Sequence, residues 1–464
     1  MATIVSGVPT FGVTNMTLAE LIPSLRSSLP HPIEPWLWPA SAHHLPAGDM
    51  SIAGVSLMSV VRDHGTATQV IDVAEFRSRA QEYRRAFADG EVSYAGKALL
   101  TKAVCRWVED AGLRLDVCTP GELSIARAAS FPIDRITLHG NAKTAGLLRA
   151  AMAMGIGRIV VDSVGEVELL ASLAYGGHRQ QVLLRVIPGV DAGTHPAITT
   201  GVEGQKFGMS ILDGSVNLAV ERVLAATNLE LVGLHCHLGS QIFQAEPYVQ
   251  AARTMVDQLA VIESNFGLSL PELNLGGGFG IAYHSGDVAL DISDTAAQIR
   301  RAVRLACKTR RIAIPRLAVE PGRSIAGPAG VTVYRVVSVK RTANRIWVMV
   351  DGGMADNPRP ALYGARYTAR LLGRLSPAVD EHVTVAGQHC ESGDVLIADA
   401  LLPGDIHAGD LLTVPATGAY HHSMASNYNQ VPRLPIIGLE DGRARTLIRR
   451  ETAADLLARE VSEL

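Results

Sequence analysis

Short apolar runs alternate with longer amphipathic stretches between about residues 90 and 325. The stretches, such as 102–111, 121–129 and 250–266, have the spacing of helices with one buried face. The eight apolar runs are typical of parallel strands buried on both faces, and they lie at 92–97, 114–118, 135–140, 158–163, 182–188, 231–238, 272–277 and 316–320. Eight such units predict a (β/α)₈ barrel, with a doubly wound open sheet as the alternative.

The pattern changes after Gly330. Short β-branched runs separated by Gly, Asp and Pro are typical of an all-β domain. They lie at 331–340, 345–351, 382–386, 395–397 and 411–415. We therefore predict an α/β protein with a C-terminal all-β domain, divided into an N-terminal extension at 1–49, a strand contribution to the β domain at 50–75, the barrel at 76–330 and the β domain at 331–464.

Two details of the N-terminal part follow from the same pattern. The first 45 residues are rich in proline and predict loose structure, with one short helix at 16–29 for which Thr17 is a possible N-cap. Residues 51–73 predict strand and turn, joining the β domain ahead of the barrel.

Composition narrows the class of protein. The chain has 464 residues, 47% of them hydrophobic and 19% charged, which predicts a large core and excludes disorder as the main state. The net charge of −3 offers no basic surface for nucleic acid. No apolar run approaches the ~18 residues of a membrane helix, and we expect no signal peptide. Five cysteines without a CxxC pair favour reduced thiols in a cytoplasmic enzyme.

Polar residues follow several of the predicted barrel strands, where catalytic groups of barrels gather. Lys97 ends the first strand and could be a nucleophile of lowered pKa toward an aldehyde, or a surface lysine. Glu320 ends the eighth and could hold a protonated ring nitrogen, or pair with Arg323. His235 and His237 share one face of the sixth, as site residues, packed histidines or, least favoured, metal ligands.

Further candidates lie in loops. The glycines 276–278 could expose backbone N–H groups to an anion or form a tight turn. Arg359 and Tyr363 share a proline-rich loop, and Cys390 precedes Glu391. Taken singly, these β-domain segments and the segments 418–420 and 426–429 are also explained by turn chemistry.

Taken together and in order, these segments resemble the fold-type III pyridoxal-phosphate decarboxylases, and most closely the diaminopimelate decarboxylases. The resemblance runs from about residue 50 to 435. Its motifs are YAGKA at 94–98, HGN at 139–141, GVDAGTHPAITTGVEGQKFG at 189–208, HCHLGSQI at 235–242, LNLGGGFGI at 273–281, EPGRSI at 320–325, DGGMADNPRPALYGA at 351–365, CESGD at 390–394 and GAYHHSMASNYN at 418–429.

The resemblance implies roles for the matching residues. Lys97 would bind the aldehyde of pyridoxal 5'-phosphate, His237 would stack on its ring, and Glu320 would keep the ring nitrogen protonated. Cys390 would protonate the product carbon from the partner subunit of a homodimer. The residues implied around the phosphate are Ser240, Gly277, Gly278, Gly322, Arg323 and Tyr428. Those implied at the distal end of the substrate are Arg323, Arg359, Tyr363, Tyr428 and the partner's Glu391.

The implied substrate is meso-diaminopimelate, whose distal ammonium and carboxylate need an anion and a cation together. The implied product is lysine. An enzyme of a secondary pathway, a racemase and a non-catalytic cofactor-binding regulator are the alternatives. The chain departs from the family pattern at Ala67, Pro120 and the pair His421-His422, which bears on substrate preference and not on the cofactor.

Overall fold

The structure, a computed structural model, describes residues 32–173 and 179–461. Eight parallel strands form a closed barrel, since the last strand pairs with the first through Ala318 and Glu91. This closure confirms the predicted (β/α)₈ barrel and excludes the open sheet. The barrel strands are Glu91–Ala95, Arg114–Val117, Ile136–Leu138, Arg158–Val161, Gln180–Ile187, Leu229–His235, Glu272–Asn274 and Arg316–Val319.

Helices surround the barrel, and their starting points follow from local sequence. The side chains of Thr101, Thr119 and Thr144 each accept a hydrogen bond from the backbone N–H three residues later, which caps the helix that follows. The helices are Val73–Ala86, Lys102–Asp110, Pro120–Ala128, Ala145–Ala153, Val164–Ser172, Ser215–Ala225, Glu246–Phe266, Ile292–Arg310 and Arg323–Ala326. Among the described residues, no helix combines the length and apolarity that crossing a membrane requires.

A separate β domain is built around the long strand Gly330–Arg341, as predicted for the region after residue 330. This strand pairs antiparallel with Ile346–Val350, with Leu411–Pro415 and with Thr68–Asp72, which precedes the barrel in the chain. The remaining strands are Arg370–Leu372, Asp380–Ala386, Val395–Pro403, Ile436–Glu440 and Arg443–Ile448, and the helices of this part are Arg359–Tyr363 and Ala453–Leu457. The sequence analysis did not predict Arg370–Leu372, Ile436–Glu440 or Arg443–Ile448.

Residues 50–75 differ from the prediction of strand and turn alone. Leu57–His64 is an α-helix, capped by the Ser56 hydroxyl and buried through Leu57, Val60 and Val61. The spacing of these buried residues is that of a helix. The helix is short and contains β-branched residues, so the sequence pattern did not distinguish it from a strand. The strands Met50–Ile52 and Val55–Ser56 form a small sheet with His43–His44.

The described end of the N-terminal extension is packed, contrary to the loose structure expected for it. Leu37 and Trp38 are buried in a cluster with residues of the helix Leu57–His64 and of the β domain. Glu34 forms an ion pair with Arg370. The apolar segment from residue 33 thus covers one face of the β domain. The helix predicted at 16–29 lies outside the described residues.

Candidate active site

Lys97 lies on a 3₁₀ turn, Gly96–Ala98, that directly follows the first barrel strand. The turn is held between both domains, because Tyr420 of the β domain donates its N–H to the carbonyl of Ala98 at 2.9 Å. A Cβ at Gly96 would lie 2.8 Å from the carbonyl oxygen of Asp116, so only glycine fits this close approach. Both contacts fix the direction in which Lys97 leaves the barrel.

The Lys97 side chain enters a pocket at the carboxyl ends of the barrel strands, beside the β domain. Seven of the residues predicted around the cofactor line it together with Lys97. The full lining is Ala95, Lys97, His237, Ser240, Gly277, Gly278, Phe279, Glu320, Gly322, Arg323, Ser324 and Tyr420. The fold thus brings together residues from strands one, six, seven and eight.

The charge of Lys97 differs from the expectation of a lowered pKa. Burial by itself lowers the pKa of this ammonium, but the acidic groups of Tyr420, Cys118 and Glu320 act against it. Their sum raises the pKa of Lys97 above its ordinary value. The side chain keeps an opening to solvent at the pocket mouth while protein surrounds the rest. Without a cofactor, Lys97 is therefore held as a cation.

Glu320 is buried beneath this pocket and held by three neighbours. Asn274 donates its side-chain N–H to Oε1 at 2.7 Å, His235 Nε2 lies 3.1 Å from Oε2, and His139 Nε2 lies 3.3 Å from Oε1. Burial raises the pKa of Glu320, but at acid pH the positive charges of His139 and His235 and the hydrogen bond from His235 outweigh it, so the pKa lies well below its usual range. Glu320 is therefore an anion, and it does not pair with Arg323.

The two histidines beside Glu320 are neutral. Burial is the main cause that lowers the pKa of His139, to about 4, and that of His235. The neutral imidazole of His235 can donate its Nε2–H to the carboxylate, whereas His139 Nε2 has no hydrogen-bond partner among the described residues. The ligand atoms of His139, His235 and Glu320 lie within 4.8 Å of one another, but this same carboxylate contact accounts for their closeness. The two histidines considered as metal ligands have different surroundings. His235 lies beside the Glu320 carboxylate, whereas His237 lines the pocket.

His237 presents a neutral ring to the pocket. Its Nδ1 accepts the backbone N–H of Gly277 at 3.2 Å. Burial, followed by the charges of Lys97 and Arg185, lowers the pKa of His237 well below its ordinary value. A Cβ at Gly276 would lie 2.8 Å from that Nδ1, so the glycine permits this ring position. The arrangement suits stacking against a flat aromatic group.

Glycines form a cradle at one end of the pocket. A Cβ at Gly277 would lie 2.2 Å from the carbonyl oxygen of Glu320, and one at Gly278 would lie 2.4 Å from that of Gly239. Gly278 also has φ +106°, a conformation that favours glycine. Arg323 adds a cation beside them and donates to the Ser240 hydroxyl at 2.8 Å. Backbone, hydroxyl and guanidinium together fit a phosphate group.

Arg323 and Arg359 are both buried, with 7% and 4% of their surfaces exposed. Within residues 32–173 and 179–461, neither forms an ion pair with a carboxylate. Their partners are the hydroxyls of Ser240, Tyr283 and Tyr367 and the faces of aromatic rings. Two buried cations without counter-ions are costly, so the site is suited to anionic ligands.

Asp356 precedes the Arg359 helix and is buried. Tyr334 donates its O–H to Oδ2 at 2.5 Å, and the Gly353 N–H donates to Oδ1 at 2.7 Å. Burial outweighs these bonds and raises the pKa of Asp356 to about 7. In an unfolded chain the value is about 3.9, so the folded protein holds this proton up to higher pH.

We therefore expect the free energy of unfolding to fall, through this group, by up to about 1.4 kcal/mol per pH unit between about pH 4 and pH 7. Asp356→Asn removes this pH-dependent contribution to the free energy of unfolding. The melting temperature of the variant, relative to that of wild type, should therefore rise from pH 5 to pH 8. Thermal unfolding at both pH values measures this, with the exposed Asp63→Asn as control. A difference that stays constant with pH would contradict the assignment.

Arg359 is not among the residues that line this pocket, and the remaining predicted residues also lie outside the pocket of their own protomer. Tyr363 lies against His195, with ring centroids 6.1 Å apart. Cys390 and Glu391 are exposed on the β domain. The Tyr428 hydroxyl donates to Glu391 at 3.4 Å, and its ring stacks on that of His389. Tyr428, predicted beside the phosphate, thus lies outside this pocket.

The tyrosine that lines the pocket is Tyr420, which the sequence analysis passed over as part of a turn. Arg323 lies over its ring at 4.5 Å. Its φ of +60° and its bond to Ala98 set it beside Lys97. The signal was present in the GAY segment, eight residues before Tyr428 in the same motif. His139, Asn274 and Tyr283 were likewise given no role.

Comparison with known proteins agrees with this arrangement. Residues 73–327 match the family model of the pyridoxal-dependent decarboxylase, pyridoxal binding domain. The chain is 50% identical over 449 residues to diaminopimelate decarboxylase of Actinosynnema pretiosum subsp. auranticum, covering 96% of this chain and 100% of the relative. Identity to the Mycobacterium tuberculosis enzyme (strain H37Rv) of that name is 45% over 440 residues, 92% and 98% of the two chains.

A solved structure is similar over nearly the whole length. The crystal structure of diaminopimelate decarboxylase from M. jannaschii in complex with L-lysine superposes with a TM-score of 0.85 at 31% identity. The superposition covers 92% of this chain and 99% of that chain. The barrel and the β domain are therefore both shared.

Proposed function

Since the chain belongs to the diaminopimelate decarboxylase family of pyridoxal-dependent decarboxylases, we propose that it converts meso-diaminopimelate to lysine and CO₂. Pyridoxal 5'-phosphate is the cofactor of this carboxy-lyase. The bond between one Cα and its carboxylate breaks, CO₂ leaves, and that carbon gains a proton. The remaining amino-acid end becomes the amino-acid end of lysine.

The single observation that carries the proposal is the pair of buried arginines, Arg323 and Arg359, neither of which has a carboxylate partner among the described residues. The phosphate of the cofactor needs one cationic region. A substrate with a second carboxylate needs another, and simple diamino acids such as ornithine and lysine do not. A guanidinium left unpaired when such a substrate is absent favours the dicarboxylate by several kcal/mol.

The residues of the pocket fit the cofactor. When bound, it supplies an electron-withdrawing ring that stabilises the charge left on Cα. Lys97 would hold its aldehyde carbon, and the anionic Glu320 would keep a proton on the ring nitrogen. His237 would stack on the ring. The glycine cradle of Gly277 and Gly278, with Ser240, Gly322 and Arg323, would bind the phosphate; we add Tyr420 to this proposed set because it lines the same pocket.

The distal end of the substrate would meet Arg359 and Arg323 through its carboxylate. Tyr363 borders this side by its place on the Arg359 helix. The distal ammonium needs an anion, and Glu391 is the proposed partner, with Tyr428 donating to it at 3.4 Å. Since both are exposed and outside the pocket of their own chain, we place them in the site of a second subunit.

Cys390 would protonate Cα from that second subunit, which makes the active unit a two-fold homodimer with shared sites. The thiol is exposed, and its backbone N–H donates to Asn429 at 3.2 Å. All five cysteines are unpaired, which supports a cytoplasmic location as part of the proposal.

Shared sites predict complementation between inactive chains. Lys97→Ala and Cys390→Ala, unfolded together and refolded as a mixture, should give about one quarter of wild-type activity, because half of the dimers are mixed and each has one intact site. Steady-state CO₂ release measures the recovery, and separately refolded variants are the control. Activity of the mixture no higher than the mean of the two variants would show that each site lies within one chain.

Substrate preference separates the proposal from its alternatives. Decarboxylation rates with meso-diaminopimelate, lysine, ornithine and arginine should show turnover of the first alone. Faster turnover of another amino acid would assign the protein to a secondary pathway. Loss of the α-proton without CO₂ would indicate a racemase, and bound cofactor without turnover of any of them would favour a regulator.

A further inference from the structure

A buried chain of hydrogen bonds leads away from Arg359, behind the pocket. Arg359 Nη1 donates to the hydroxyl oxygen of Tyr367, and that oxygen lies 3.1 Å from Nε2 of His421. All three side chains are buried. His421 is one of the two histidines at which the sequence departs from the family pattern, and nothing in the proposed chemistry uses it.

The available donors assign a direction to each bond in this chain, with His421 in the tautomer that carries its proton on Nδ1. A guanidinium only donates, so Tyr367 accepts from Arg359 and has its single proton left for His421. Burial raises the pKa of Tyr367, which keeps that proton. Burial, followed by the charges of Arg359 and Arg323, lowers the pKa of His421 well below its ordinary value. His421 is therefore neutral and accepts at Nε2.

Tyr283 connects the two arginines. Its hydroxyl accepts a hydrogen bond from Arg323 Nη1 at 2.7 Å, and the Arg359 guanidinium lies 4.2 Å from the centre of its ring. Its ring also meets that of Tyr367 edge-on, at 5.1 Å. Neutral hydroxyls and ring faces thus hold both cations in place without cancelling their charge. The Arg359 Nε has no hydrogen-bond partner among the described residues.

We propose that Tyr283, Tyr367 and His421 are positioning residues that orient Arg359 toward the distal carboxylate and so select dicarboxylic substrates. This inference rests on the proposed function, since it specifies how the same site recognises its substrate. The frame fixes the guanidinium before substrate arrives, which reduces the ordering needed on binding. A carboxylate in place of any of the three would neutralise the cation instead.

His421→Leu tests the proposal, because it leaves the Tyr367 hydroxyl without its acceptor. We expect KM for meso-diaminopimelate to rise about tenfold while kcat changes less than about threefold, the scale of one lost hydrogen bond in a charged network. His421→Gln retains an acceptor and should recover most of the loss. His422→Leu is the matched control, a half-buried neighbour of the same type without a contact to either arginine.

Two inhibitors separate positioning from a general effect on the fold. Pimelate is a seven-carbon dicarboxylate without amino groups. Its inhibition constant should rise about tenfold in His421→Leu, because it binds more weakly. Pentane-1,5-diamine, which has no carboxylate, should inhibit wild type and variant alike. Equal losses for both inhibitors, or a variant indistinguishable from His422→Leu, would overturn the inference while the proposed function stands. Absence of meso-diaminopimelate turnover in wild type would overturn the proposed function first.

Discussion

Lys97→Ala should reduce decarboxylation at least about 10⁴-fold, the scale on which loss of a covalent catalytic residue acts. Lys97 supplies the primary amine among the residues that line the pocket. It lies on a turn that contacts from the barrel and from the β domain hold in place. Alanine removes the group that would hold the cofactor aldehyde. The fold should persist, since no described hydrogen bond or ion pair of the side chain is lost.

The bound-cofactor spectrum distinguishes this role from a structural one. The absorbance band of covalently bound pyridoxal 5'-phosphate should be absent from Lys97→Ala, and borohydride should not fix the cofactor to this variant. Lys102→Ala, a change at an exposed lysine that begins the next helix, is the control and should keep spectrum and rate. Retention of the reducible band in Lys97→Ala would assign the covalent attachment to another residue.

Glu320→Gln should lower kcat by about 10²–10³-fold, which corresponds to the ~3–4 kcal/mol of one preorganised electrostatic contact. Asn274 and His235 form hydrogen bonds with this anion and His139 lies 3.3 Å from it, so its charge is fixed beneath the pocket before any ligand binds. Glutamine is of similar size and carries no charge. The proton on the cofactor ring nitrogen would lose its counter-ion.

Cofactor affinity should change far less than kcat, because phosphate contacts come from the glycine cradle and Arg323. Equilibrium titration with pyridoxal 5'-phosphate and steady-state kinetics measure the two separately. Glu75→Gln, at a buried glutamate on the helix Val73–Ala86, is the control and should leave kcat unchanged. An unchanged kcat in Glu320→Gln would remove Glu320 from the proposed chemistry.

The barrel could be predicted from sequence because strands buried on both faces are short, nearly continuous apolar runs. Each of the eight predicted runs overlaps an observed strand, from Glu91–Ala95 to Arg316–Val319. Lys97 and Glu320 could be placed near each other for the same reason, since strand ends meet at one rim. The helix Leu57–His64 and the strand Ile436–Glu440 were missed because short apolar segments fit either period.

Other parts of the site depend on contacts that no local pattern contains. Tyr420 and Tyr428 belong to one motif, and only the bond from Tyr420 to Ala98 decides which of them lies beside Lys97. The raised pKa of Lys97 arises from Tyr420, Cys118 and Glu320, which lie elsewhere in the chain. Trp38 is buried because it packs against a face of the β domain whose residues lie far from it in the sequence, so no local pattern predicts its burial.

The most direct measurement of the central claim is simultaneous quantification of CO₂ and lysine from meso-diaminopimelate, with pyridoxal 5'-phosphate added to cofactor-free protein. The account predicts one lysine for each CO₂, no product before the cofactor is added, and none from Lys97→Ala. Formation of CO₂ without lysine, or no CO₂ from protein with covalently bound cofactor, would contradict it.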